Sequence, residues 1–102
     1  MRRERGVRIA GPASEEFTEA VRWYESRRPG LGAELYDAVK ATIESIERQP
    51  EIGATAYEDA KSRRVLVTHF PYHVVYRLED AEIVILAIAH MKRRPGFWKH
   101  RS

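Results

Sequence analysis

The 102-residue sequence predicts an α+β domain, a helical hairpin packed on one face of a small, curved antiparallel sheet. Three observations lead there. Two stretches, 14–28 and 31–49, space their apolar residues as helices do and are divided by Pro29-Gly30. Three later stretches, 64–70, 72–78 and 82–89, are rich in valine, isoleucine and tyrosine, with short connections between them. A short strand-like stretch, Val7 to Ala10, precedes the helices. The expected order is therefore strand, helix, helix, strand, strand, strand.

The first strand is closed by Gly11-Pro12. Ser14 has the chemistry of an N-cap, and Glu15 and Glu16 would then occupy the first turn, where the helix dipole favours anions. Phe17, Ala20, Val21 and Tyr24 form one helical face, and Arg22, Arg27 and Arg28 lie toward the C-terminal end. The second helix carries Leu31, Leu35, Ala38, Val39, Thr42, Ile43 and Ile46 on one stripe and is bounded by Pro50. Two amphipathic helices joined by so short a turn form an antiparallel hairpin. Residues 49–62 show neither period and are expected to be a loop, long enough to be a place to look for function.

The strands are RVLVTHF, YHVVYRL and EIVILAIA. A two-residue turn at Phe70-Pro71 would set Val67 opposite Val74 and Arg64 opposite Arg77. Like charges directly opposite destabilise a ladder. The pair then needs an acid between its members or awaits an anion. A turn at Glu79-Asp80 makes Glu82 the structural candidate, opposite Arg77. The last strand is apolar on both faces, as a strand covered on both sides is.

Length limits the chain to a single domain, residues 1–102, with one modest core. The absence of cysteine excludes disulfides, thiolate chemistry and cysteine zinc sites. No apolar run reaches the roughly 18–20 residues of a membrane span. MRRERGVRIAG is not followed by the apolar block of a signal peptide, so a cytoplasmic location is expected. The net charge of +3 is unevenly spread. Residues 1–8 balance to +3, residues 90–102 to +5 with no acid, and the body between them to −5. Cationic ends that meet in space would form one patch suited to nucleic acid or an acidic protein.

Catalytic patterns are few. The acids lie mostly on polar helix faces, and of His69, His73, His90 and His100 only His69 and His73 are close, flanking a turn, with no HExxH motif. There is no nucleophile elbow and no glycine-rich phosphate loop. No metal or cofactor is expected. The informative segment is the tail, residues 90–102, which projects His90, Lys92, Arg93 and Arg94 before Pro95 and the pair Phe97-Trp98. Arginine beside such rings can stack on bases and pair with phosphates. Trp98 can equally pack back over the sheet and anchor the tail, holding Arg93 and Arg94 beside the strands.

An ordered set of motifs spans nearly the whole chain: AVRWYESRRPGLGAEL at 20–35, IESIERQPEIG at 43–53, an arginine at 64 followed by FPYHVVYR at 70–77, and ILAIAHMKRRPGFW at 85–98. With them the chain resembles the ParE/RelE superfamily, toxins of bacterial type II toxin–antitoxin systems also known as plasmid stabilisation proteins. The resemblance implies the RelE-type fold and a cognate antitoxin encoded beside the toxin. That antitoxin would wrap the toxin with a helix and an extended segment and so neutralise it. It implies two modes of action. In the ribonuclease branch, basic residues and often a C-terminal tyrosine cut messenger RNA on the ribosome, and Arg64, Arg77 and His90 would be its catalytic candidates here. In the ParE-like branch the target is DNA gyrase, and Lys61, Arg63, Lys92, Arg93, Arg94 and Trp98 would contact target or antitoxin. No tyrosine follows Tyr76, which favours the gyrase branch. A non-toxic binding module of the same fold is a third reading. Apolar surface left without its antitoxin would favour a homodimer.

Overall fold

The structure, a computed structural model, describes residues 5–56, 59–94 and 96–101. Arg2 and Arg3 of the basic N-terminus, positions 57 and 58 of the expected loop, and Pro95 lie outside the described residues. The elements are β1 (Gly6–Ile9), α1 (Gly11–Arg27), α2 (Leu31–Arg48), β2 (Ala54–Ala56), β3 (Asp59–Leu66), β4 (Tyr72–Leu78) and β5 (Glu82–His90). The strands form one open sheet in the order β1-β5-β4-β3-β2. The helical hairpin lies on one face, as expected. The sheet is mixed rather than wholly antiparallel, because β1 runs parallel to β5. The loop expected at 49–62 is also shorter than expected. It gives way to β2 and to the first residues of β3, and their pairing is irregular beyond Thr55.

Helix α1 begins three residues before Ser14. Its N-cap is Ala10, and Pro12 stands in the first turn, where a missing N–H costs no hydrogen bond. Ser14 is already inside, its N–H donating to the Ala10 carbonyl at 3.0 Å. The hairpin turn depends on Gly30, whose φ of 91° favours glycine. Glu25 of α1 caps α2 across this turn, its carboxylate accepting the Gly30 and Gly32 N–H groups at 3.0 Å. A carboxylate there satisfies orphan donors and complements the helix dipole.

The core beneath the hairpin joins Ala20 of α1 and Leu35, Val39 and Ile46 of α2 to Val74, Tyr76, Ile83, Ile85 and Ile88 of the sheet. Tyr76 is fully buried, and its hydroxyl is the hinge of the α2–β2 connection. It donates to the Pro50 carbonyl at 2.8 Å and accepts the Gly53 N–H at 2.9 Å. A Cβ on Gly53 would meet that hydroxyl at 2.6 Å, so the close approach itself requires glycine. Burial is the main cause holding the Tyr76 phenol above the ordinary tyrosine pKa.

The strand registers differ from the expected ones. Arg64 lies opposite Val75, and Ser62 lies opposite Arg77. The β3–β4 connection is wider than two residues: Val67 donates to the Tyr72 carbonyl, and His69 takes a positive φ of 69°. The shift is two places, an even number, so Arg64 and Arg77 still share a face as diagonal neighbours. Glu82 does not face Arg77. It lies opposite Gly6 and pairs with Arg8 at 3.1 Å, while Arg77 faces Val84.

Replacing Tyr76 with phenylalanine should lower stability by about 1–3 kcal/mol, because the Gly53 N–H and the Pro50 carbonyl lose their buried partner. Equilibrium urea unfolding measures this, and an unchanged midpoint would show that the connection is held by other contacts.

Candidate functional site

Strand β5 carries one residue too many for its partner. Val75 lies opposite Ala87, yet Tyr76 lies opposite Ile85, which leaves Leu86 as a bulge. Strict alternation breaks there. Ile83, Ile85 and Ile88 join the core under the helices, whereas Val84, Leu86, Ala87 and Ala89 turn to the second face. That face also receives Val75 from β4. By pairing it receives His73 and Arg77 from β4 and Ser62, Arg64 and Leu66 from β3.

The C-terminal tail covers the apolar half of this face. Trp98 is only 4% exposed and packs on Val75, Val84, Leu86, Ala87 and Ala89, with Phe97 beside it. The two rings meet edge to face at 5.3 Å. Arg93 and Arg101 sit over Phe97 at 3.9 and 4.8 Å from its centroid. The indole Nε1–H of Trp98 is buried and finds no acceptor among the described residues. The anchoring role weighed for Trp98 is the one the structure shows, and its ring is not available to stack on a base.

Glu16 locks the tail in place. Its Oε1 accepts from Arg101 Nη1 at 2.9 Å and from the Ile88 N–H at 3.2 Å, and its Oε2 accepts from Arg93 Nη1 at 3.2 Å. Arg101 also donates to the Leu86 carbonyl at 3.1 Å. These contacts close a gap. β1 pairs with β5 only from Glu82 to Ile85, and beyond it the β5 edge would expose backbone groups. Glu16 takes the Ile88 N–H and Arg101 takes the Leu86 carbonyl. Glu16 and Arg101 are both largely buried, so their pair is worth more than the partly exposed pair with Arg93.

The remaining candidate residues divide into groups. Arg64 and Arg77 are half-buried beside the apolar patch, at the rim of the surface that Trp98 fills. Arg63 is on the other face and is committed to the connection after α2, donating to the Glu51 and Gly53 carbonyls at 3.1 and 2.9 Å. Lys61 is exposed near the irregular start of β3. Lys92, Arg93 and Arg94 are exposed just past β5. His90 holds the turn there, its Nδ1 accepting the Lys92 N–H at 3.0 Å, and its ring meets Tyr72 at 5.2 Å. Burial, and secondarily the nearby Tyr24, raises the pKa of Tyr72. Cations from both chain ends border β5, but Arg8 is paired with Glu82, and Arg93 and Arg101 share the single charge of Glu16. Sequence reasoning missed Glu16, which looked like an ordinary first-turn acid. Its partners are 72 to 85 residues away, so no local pattern marks it. Among the described residues, no group of three metal-binding side chains occurs and no helix is long and apolar enough to cross a membrane.

The sequence matches the family model for the ParE toxin of the parDE type II toxin–antitoxin system over residues 7–95. No curated protein matches it. Among solved structures it is similar to the chromosomal ParDE toxin–antitoxin system from P. aeruginosa. That likeness has a TM-score of 0.75 and 16% identity, and covers 85% of this chain and 96% of the other. At that identity the likeness is one of fold.

Glu16→Ala should release the tail. We expect a loss of about 2–4 kcal/mol, between a charge-assisted hydrogen bond and a fully buried ion pair. Trypsin should cut earlier at Lys92, Arg93 and Lys99, and Trp98 emission should move to the red. Unaltered cleavage kinetics would mean that Trp98 packing alone holds the tail.

Proposed function

The chain belongs to the ParE toxin family of type II toxin–antitoxin systems, and from that premise we propose that it poisons DNA gyrase through its second sheet face and its C-terminal tail. As a toxin of such a system it has a cognate antitoxin as partner. The target is our own inference. The observation that carries it is the seating of Trp98: where a nuclease needs an open cleft beside its cations, the tail fills the apolar half of the face. What remains is a rim of positive charge, Arg64 and Arg77 on the strands with Arg94 and Lys99 exposed on the tail. Such a rim suits contact with an acidic protein surface or with the DNA that gyrase holds. Cleavage of RNA would also need a base and an acid at the reacting phosphate. His90 is committed to the Lys92 N–H, and Tyr76 is sealed under the helices. On this reading Arg64 and Arg77 are contact residues rather than catalysts. Lys61 is exposed near the start of β3, and Arg63 acts by shaping the connection after α2. The toxin works in the cytoplasm, where its target is. Before the antitoxin binds, the exposed Leu66 on this same face favours a homodimer.

Purified protein added to gyrase and supercoiled plasmid should yield linear DNA after protein digestion, while translation in a cell-free system continues. Stalled translation with intact plasmid would overturn the proposal in favour of the ribosome.

Arg64→Ala and Arg77→Ala should each weaken gyrase poisoning by about three- to tenfold, as the loss of one rim charge does, and leave the fold intact. A near-complete loss of activity from either single change, with unaltered circular dichroism, would instead mark that arginine as catalytic.

A further inference from the structure

The exposed tryptophan of this protein is Trp23, not Trp98. Trp23 is 51% exposed near the C-terminal end of α1, with the Arg27 guanidinium 4.4 Å from its ring centroid. Its edge meets Tyr24 at 4.9 Å. Tyr24 in turn meets Phe70 at 5.2 Å and Tyr72 at 6.2 Å, and Tyr72 meets His90. A continuous group of aromatic rings therefore runs from the surface of α1 to the end of β5. Met91, 52% exposed, follows directly and donates its N–H to the Pro71 carbonyl.

The charges around this group are mainly positive. Trp23 and Glu16 are seven residues apart, two helical turns, so they project from the same side of α1, the side that meets the tail. Arg22 and Arg27 of α1 and Lys92 and Arg94 after β5 are all exposed, and none forms an ion pair among the described residues. The acids on this part of α1 are Glu15, Glu16, Glu19 and Glu25. Glu16 is occupied by Ile88, Arg93 and Arg101, and Glu25 by the start of α2. Glu15 and Glu19, both exposed and lining one shallow hollow with Arg22, oppose the field.

We infer that this end of the molecule is a platform for single-stranded nucleic acid, with Trp23 stacking on a base and Arg22, Arg27, Lys92 and Arg94 pairing with the flanking phosphates. An exposed ring on a rigid helix with unpaired cations on both sides is the combination that such binding uses. A duplex keeps its base faces covered and offers Trp23 nothing to stack on. The platform centres on Trp23 of α1 and shares only Arg94 with the surface assigned to the target, and its test does not depend on whether that target is gyrase.

The probe is a fluorescein-labelled oligothymidylate of about 15 nucleotides, long enough for a domain of this kind, titrated with the full-length protein and followed by anisotropy. Binding should weaken roughly 20- to 50-fold between about 50 and 200 mM salt if three or four phosphates are engaged. Trp23→Ala should weaken it about tenfold or more at fixed salt, and Trp23→Phe should restore most of the loss, because any aromatic face can stack. Both variants change an exposed side chain, and circular dichroism checks the fold. Absence of binding at low salt would overturn the inference, as would a Trp23→Ala variant that binds like the wild type. Equal affinity for a duplex of the same length would overturn it as well, by removing the need for stacking. Polyglutamate competing as well as unlabelled oligothymidylate would assign the surface to an acidic protein segment instead.

Discussion

From Ile83 to Ala89 every residue of β5 is buried, and a strand apolar on both sides must be covered twice. The helical hairpin covers one side. The other side is left to thirteen residues at the end of the chain, and Trp98 is the only large ring among them that is itself buried. The remainder of the architecture follows from this requirement. β1 shields the first half of the β5 edge, α1 lies along β5, and the tail must turn back instead of running into solvent.

Burying a strand twice leaves its edge to be dealt with. β1 is four residues long and β5 is nine, so about half of the β5 edge has no strand beside it. Unpaired backbone groups at such an edge are costly when buried and a pairing hazard when exposed. The protein answers with a single carboxylate and a single guanidinium. Glu16 and Arg101 each satisfy one backbone group and also bind one another, so the edge seal and the tail lock are the same contact. An aspartate at position 16 would be one methylene shorter, and reaching the Ile88 N–H and Arg101 together would be harder.

The cationic character of the chain takes on a different meaning once these pairs are counted. Arg8, Arg93 and Arg101 serve the sheet and its edge, and Arg63 serves the connection after α2. The other cations fall into two groups, Arg64 and Arg77 with the outer tail, and Arg22 and Arg27 with the first tail residues. Burying Trp98 is what separates them, because it pins the tail between the second sheet face and the edge of β5.

Much of this was determined by the sequence alone. Helical spacing in 17–24 and 31–46, Pro29-Gly30 between them, and three β-rich runs fix the elements and the α+β class, because these signals act over a few residues and survive in any context. The tail was recognisable as basic and aromatic, and Trp98 as a candidate anchor. The tertiary structure decided the rest. The parallel placement of β1 depends on partners far along the chain, and the short strand β2 on an irregular pairing with its neighbour β3. The true register depends on the width of the Val67–Pro71 turn and on the bulge at Leu86, and neither leaves a mark in residue type. Arg64 and Arg77 kept their common face only because a slip of two residues preserves the alternation of a strand. Glu16 took on its central role because folding brought residues 88, 93 and 101 to it. A contact across 72 or more residues has no local signature, since nothing near Glu16 in the chain is changed by having it.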